Sequence, residues 1–173
     1  MELGFSATKA VIGQVFRGVG DNVIHARMKT FQRENFPSEA VRVGTGWRAA
    51  YSHDDLWRLL IAFALLDAGM SPSTTMDVFA ANDWEPIKVG IDRAWEVRHS
   101  GASERRPVLI VAPRALVEKR SSARTEVVEI GELQSLFGRK EPYAPNIVII
   151  DLARIARRFE RATKSVESSS KSR

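Results

Sequence analysis

The chain is predicted to be an α+β protein, mainly helical to about His99 and mixed from about Arg106 to Ser165. Three observations carry this. Ile24, Met28 and Phe31 fall on one helical face, and Leu56, Leu59, Leu60, Phe63 and Leu66 make a second, wider one. Val108–Ala112, Glu126–Ile130 and Ile147–Ile150 are short apolar or alternating runs of strand length. Between the two parts, Ser100-Gly101-Ala102-Ser103-Glu104 is small and polar, as linkers are.

The elements follow in order. Ser6 is placed to cap a first helix through Phe16, and Arg17-Gly18-Val19-Gly20 breaks it. Asp21 or Asn22 caps a second helix, spanning about 22–35, with His25, Lys29 and Arg33 opposite its apolar face. Pro37 cannot continue it. Residues 40–50 read as a hairpin, because Val41 and Val43 flank Arg42 and Gly44-Thr45-Gly46 supplies a turn. Ser52 caps the next helix, Asp54 and Asp55 sit in its first turn, and Gly69 ends it.

Ser71-Pro72 starts a further helix, to about Ala81. Trp84-Glu85-Pro86 opens another, with Ile87, Ile91, Ala94 and Trp95 aligned. A strand over Ile87–Ile91 is the alternative, since those residues also alternate. A short helix is expected over Glu132–Phe137. Asp151 caps a last helix with Leu152, Ile155, Ala156, Phe159 and Thr163 in a seam and Arg154, Arg157, Arg158 and Arg161 off it. The Ser-rich, charged residues 166–173 are expected to be a disordered tail.

Composition narrows the chemistry. A net charge of +5 favours a polyanionic partner. The chain has no cysteine, which excludes disulfides and thiolate chemistry. His25, His53 and His99 have no metal-ligand spacing. There is no Gly-rich phosphate loop and no nucleophile elbow, and the adjacent Asp54 and Asp55 point different ways on a helix. No enzyme activity and no cofactor are therefore expected. The longest apolar run, Leu59–Leu66, is far short of the ~20 residues of a membrane span, and no signal pattern opens the chain. The expectation is a cytoplasmic protein without a membrane partner.

Residues 5–80 resemble the DNA-binding domain of the MerR family of winged helix-turn-helix regulators. The family's recognition helix closes on a basic residue, aromatic residues, Glu or Gln, Arg, any residue, Gly and apolar residues. Lys29, Phe31, Gln32, Arg33, Asn35 and Phe36 take those places, with Thr30 in place of an aromatic and Asn35 in place of the glycine. The family's wing runs through Gly-x-Arg-x-Tyr into Ser-x-x-Asp-Leu. Gly46, Arg48, Tyr51, Ser52, Asp55 and Leu56 match it, with one extra residue before Tyr51. Asp67-Ala68-Gly69-Met70-Ser71-Pro72 is similar to the turn between the family's next two helices. The family's long C-terminal dimerisation helix is absent in its usual form.

The resemblance implies a homodimeric, sequence-specific regulator of double-stranded DNA, with RNA polymerase as partner where it activates. The second helix would enter the major groove and the wing would hold the flanking backbone. Residues 1–99 would form the DNA-binding domain and 106–165 a small α/β region for dimerisation or for a partner or ligand. Candidate DNA contacts are Asn22, His25, Arg27, Lys29, Arg33, Arg42, Thr45, Trp47, Arg48 and Tyr51. A helix cap competes for Asn22, an acidic neighbour for Arg27 and packing for Trp47. Tyr51 is expected to staple the wing to the core. Leu152, Ile155 and Phe159 are the candidate dimer seam. Two other readings remain open here. One is an adaptor or antitoxin-like module using the apolar strands Val108–Ala112 and Ile147–Ile150. The other is a small-molecule sensor with Trp84 and Trp95 against the sheet.

Overall fold

A computed structural model describes residues 2–38, 50–101, 104–112, 124–137 and 147–171. Strand β1 (Leu3–Gly4) leads directly into helix α1 (Phe5–Val15). It pairs antiparallel with β2 (Ala50–Tyr51), Leu3 opposite Tyr51 and Gly4 opposite Ala50. This pairing fixes the start of α1, so Gly4 and not Ser6 occupies the N-cap. Gly18, at φ +103°, makes the turn into α2 (Asp21–Arg33), a left-handed conformation that glycine adopts without strain. The α2 N-cap is Gly20, which brings no side-chain bond, so Asn22 is not the cap.

The far end of α2 closes as a Schellman motif. Asn35 takes the left-handed position at φ 56°. The Phe36 amide donates to the Phe31 carbonyl at 2.9 Å and the Asn35 amide to the Gln32 carbonyl at 3.2 Å. The Phe31 and Phe36 rings meet at 5.1 Å, the apolar contact that accompanies such a cap. Asparagine thus does here what glycine usually does in left-handed helix caps.

Helix α3 (His53–Asp67) begins with a reciprocal cap: the Asp55 amide donates to Ser52 Oγ at 3.1 Å and the Ser52 amide to Asp55 Oδ2 at 3.0 Å. Gly69 ends it at φ +91°. Helix α4 (Pro72–Ala81) starts from Ser71, whose hydroxyl accepts from the Thr74 amide at 3.1 Å. Helix α5 (Trp84–Val97) settles the Ile87–Ile91 ambiguity in favour of helix. A three-stranded antiparallel sheet then has the order β4-β3-β5, from β3 (Pro107–Ala112), β4 (Arg124–Glu129) and β5 (Val148–Asp151). Between β4 and β5 lie a 3-10 turn (Ile130–Glu132) and α6 (Leu133–Phe137). Helix α7 (Leu152–Lys171) is capped by Asp151 Oδ1, which accepts from the Arg154 amide at 2.8 Å. The segment expected to be a disordered tail is helical through Lys171, because the α7 ladder continues past Ser165.

The chain divides into two compact units, residues 1–64 with 158–173, and residues 65–157. The divisions fall inside α3 and α7, not at the polar linker near residue 100. The core of the first unit is Val11, Ile12 and Val15 of α1, Ile24, Met28 and Phe31 of α2, Leu56, Trp57, Leu60 and Phe63 of α3, and Phe159 of α7. In the second unit β3 is the central strand, buried on both faces. Val108 and Ile110 pack with Val128 under Ile130, Leu133 and Ile147. On the opposite face lies α5.

Gly90 lets α5 approach β4 closely. A Cβ there would stand 2.6 Å from a methyl of Val127 and 3.3 Å from one of Leu152. Val127 is β-branched and stiff in χ1, so it cannot swing away freely. Gly90→Ala is expected to lose stability by about 1–3 kcal/mol through overpacking, against the ~1 kcal/mol that alanine gains over glycine in a helix. Adding Val127→Ala should recover part of the loss. Urea unfolding of both variants checks this, and a stabilised Gly90→Ala would disprove the close approach.

Candidate nucleic-acid interface

Helix α2 presents two faces of different chemistry. Ile24, Met28 and Phe31 are each 1% exposed. Asn22, His25, Ala26, Lys29 and Arg33 are exposed on the other side. The burial of one face dictates the exposure of the other, since residues three and four apart share a side of a helix. Arg33 has no acidic partner among the described residues. Asp21 at the helix start is neutralised by Lys9 at 2.9 Å.

Phe5 organises this stripe from α1. Lys29 Nζ lies 5.0 Å from the centroid of its ring. His25 meets the same ring edge-on at 5.5 Å. Such a cation–π contact at an exposed site contributes about 0.5–1 kcal/mol and limits the wandering of the lysine chain. Sequence reading missed Phe5 in this role, because its partners lie on another helix. It also passed over Val23, which is 45% exposed beside the stripe. An exposed apolar group at this place has the chemistry to meet a thymine methyl.

Arg27 is half-buried, with its guanidinium 6.0 Å from the centroid of the Phe63 ring, so it flanks the core and does not join the outward stripe. Arg42, Thr45, Trp47 and Arg48 lie outside the described residues. Ala50, the first described residue after them, pairs with Gly4, the chain neighbour of Phe5. Arg58 Nη1 donates to the Pro37 carbonyl at 3.1 Å.

Tyr51 is a correction. It is 1% exposed, which closes it to a phosphate, and its hydroxyl oxygen accepts from Gln32 Nε2 at 2.7 Å. The hydrogen bond joins β2 to α2, while residues 39–49 of the wing that Tyr51 was expected to staple lie outside the described residues. Burial pushes the phenol up to about 12; the Gln32 bond works in the other direction, and the nearby Asp55 carboxylate adds to the rise. The neutral phenol is therefore the form that the fold holds. The resulting stability is present below pH 10 and is lost as pH rises from about 10 to about 12, an effect of about 2–3 kcal/mol. Tyr51→Phe should remove that alkaline loss. It should also cost about 1–3 kcal/mol at neutral pH, because the buried Gln32 amide loses its partner. The check is a difference titration of tyrosinate absorbance between the two proteins. A Tyr51 midpoint near 10 would contradict the burial of the phenol.

The predicted dimer seam is also corrected. Leu152, Ile155 and Phe159 are 0%, 7% and 1% exposed within the single chain. Phe159 meets Trp57 edge-on at 5.7 Å and His53 at 5.8 Å. The apolar face of α7 is consumed by the chain's own core, which leaves none of the three residues for a second copy. The adaptor reading loses its first strand in the same way, since β3 is central and buried, although Ile149 of β5 is 42% exposed. For the sensor reading, Trp84 has Phe79 at 6.0 Å and Trp95 carries the Arg98 guanidinium at 4.7 Å.

No protein-family model and no curated protein matches this chain. Among the described residues, no group of three or more His, Cys, Asp or Glu could hold a metal ion, and no helix is long and apolar enough to cross a membrane.

Proposed function

We propose that the chain binds double-stranded DNA through the exposed face of α2 and acts as a sequence-specific transcription regulator. The observation that carries the reading is the α2 stripe. Asn22, His25, Lys29 and Arg33 stand outward on a helix whose opposite face is locked into the core, and Phe5 holds two of them from below. These side chains suit a major groove: arginine and lysine reach guanine O6 and N7, and asparagine reaches adenine N6 and N7. The order β1, α1, glycine turn, α2, β2 and α3 is compatible with a winged helix-turn-helix. In this reading Arg42 and Arg48, which lie between Ser38 and Ala50 in the chain, would contact the backbone flanking the groove.

Phosphate contacts would supply most of the affinity and make it fall steeply with salt. A homodimer fits the two-fold symmetry of operators, but the seam on α7 is not its interface. RNA polymerase is the partner only where the protein activates; repression by occlusion needs none.

The experiment is selection from a random duplex library with the full chain, followed by titration of recovered sites at two salt concentrations. An enriched motif with steep salt dependence is expected, as an inverted repeat if the chain acts as a dimer. Recovery of no motif together with no duplex affinity would end the reading and turn the search to protein partners of the Ile149 edge.

A further inference from the structure

A second cluster of arginines lies in the first unit and is separate from the α2 stripe. Arg17, in the turn after α1, faces Arg158 and Arg161, one turn apart on α7. With Gln14 and Ala162 they line a cleft of about 200 Å³. Two bonds hold α7 along the end of α1. Arg158 Nη1 donates to the Val15 carbonyl at 3.0 Å, and Gln14 Nε2 donates to Ser165 Oγ at 3.4 Å. Arg158 is thus fixed at the C-terminal end of α1, where the helix dipole favours a cation.

The electrostatics of the cleft are unbalanced. Among the described residues, none that lines it is acidic. Neither Arg17 nor Arg161 has an acidic partner among the described residues, and both are exposed. Three guanidinium groups brought together repel one another, and an anion between them relieves that. Each offers a planar fork of donors that matches the oxygens of a phosphoryl group in pairs. Size narrows the ligand. The cleft is several times the ~30 Å³ share of one water, yet below the ~300–1,000 Å³ of pockets for drug-sized ligands. It suits one or two linked phosphoryl groups, with any attached body outside.

We infer that this cleft is a phosphoryl-anion site, with Arg158 as its fixed member and Arg17 and Arg161 closing on the ligand. The anion has two sources of the same chemistry, a backbone phosphate of duplex DNA or the terminal phosphates of a free phosphorylated ligand. The site does not depend on the α2 stripe binding DNA.

The test uses the full chain and the variant Arg17→Gln with Arg161→Gln, which leaves Arg158 and its structural bond in place. Circular dichroism first shows that the variant folds. Inorganic pyrophosphate is titrated calorimetrically into each protein, and duplex binding is measured for each at several salt concentrations. Saturable pyrophosphate binding to the parent chain, at least about tenfold weaker in the variant, is expected. If duplex affinity also falls in the variant, with a shallower salt slope, the source is the DNA backbone. If duplex affinity is unchanged or absent, the source is a free phosphorylated ligand, and failure of the DNA reading leaves the cleft standing. Pyrophosphate binding that is absent from the parent or equal in the variant, with duplex affinity also unchanged by the variant, overturns the inference.

Discussion

Phe31→Ala is expected to destabilise the protein by about 3–5 kcal/mol, the range for deleting a buried aromatic ring. Phe31 is 1% exposed and meets Phe36 at 5.1 Å and Phe63 edge-on at 6.0 Å. Its carbonyl also accepts the Phe36 amide that closes the end of α2. Alanine keeps that carbonyl but removes the ring that makes the capping geometry worth holding. Since whole domains are stable by only about 5–15 kcal/mol, the urea midpoint should drop by about 1–3 M at a typical denaturant slope. Phe31→Leu should lose clearly less, because much of the volume is kept. The result bears on function, because this ring fixes the rotation of α2 about its own axis. A nearly silent Phe31→Ala would mean that α2 docks some other way, and that the outward stripe is misassigned.

The caps were the most legible part of the sequence because each is a local agreement between one side chain and a nearby amide. Ser52 with Asp55, Ser71 before Pro72, Asp151 and Asn35 all sit where short-range rules place them. The strands of the second unit were legible from their apolar runs, and the antiparallel register followed only from the structure. Ser6 shows the limit of local rules. Its hydroxyl was a sound cap, but pairing of Gly4 with Ala50, distant in sequence, set the helix start first.

The fate of an apolar seam was not legible at all. Leu152, Ile155 and Phe159 form the same stripe whether their cover is the chain's own core or a second copy. Periodicity reports that a face is buried, not by what. Tyr51 failed as a contact for a related reason. An aromatic beside a basic hairpin reads as an interface residue, and only its burial in the folded chain shows that its hydroxyl is closed to a phosphate. The α2 stripe was visible from spacing, whereas Phe5 beneath it was not, because no periodicity links residues on two helices.

Removing both cations of that stripe, in Lys29→Met with Arg33→Ala, should weaken duplex binding by about thirty- to a hundred-and-fiftyfold. Two groove contacts of roughly 1–1.5 kcal/mol each give that range. Methionine at position 29 keeps an apolar chain over the Phe5 ring, where a thioether still makes a favourable contact, so stability should change little. Unfolding midpoints measured beside the binding isotherms separate a lost contact from a loosened helix. The salt dependence then distinguishes the two roles. If both side chains hold phosphates, the slope of log affinity against log salt becomes shallower by about 1.8. If they read bases, the slope holds while preference relaxes at particular positions of the site. Parent-like affinity in a folded double variant would remove α2 as the reading element, even for a chain that binds DNA, and would shift attention to the segment between Ser38 and Ala50.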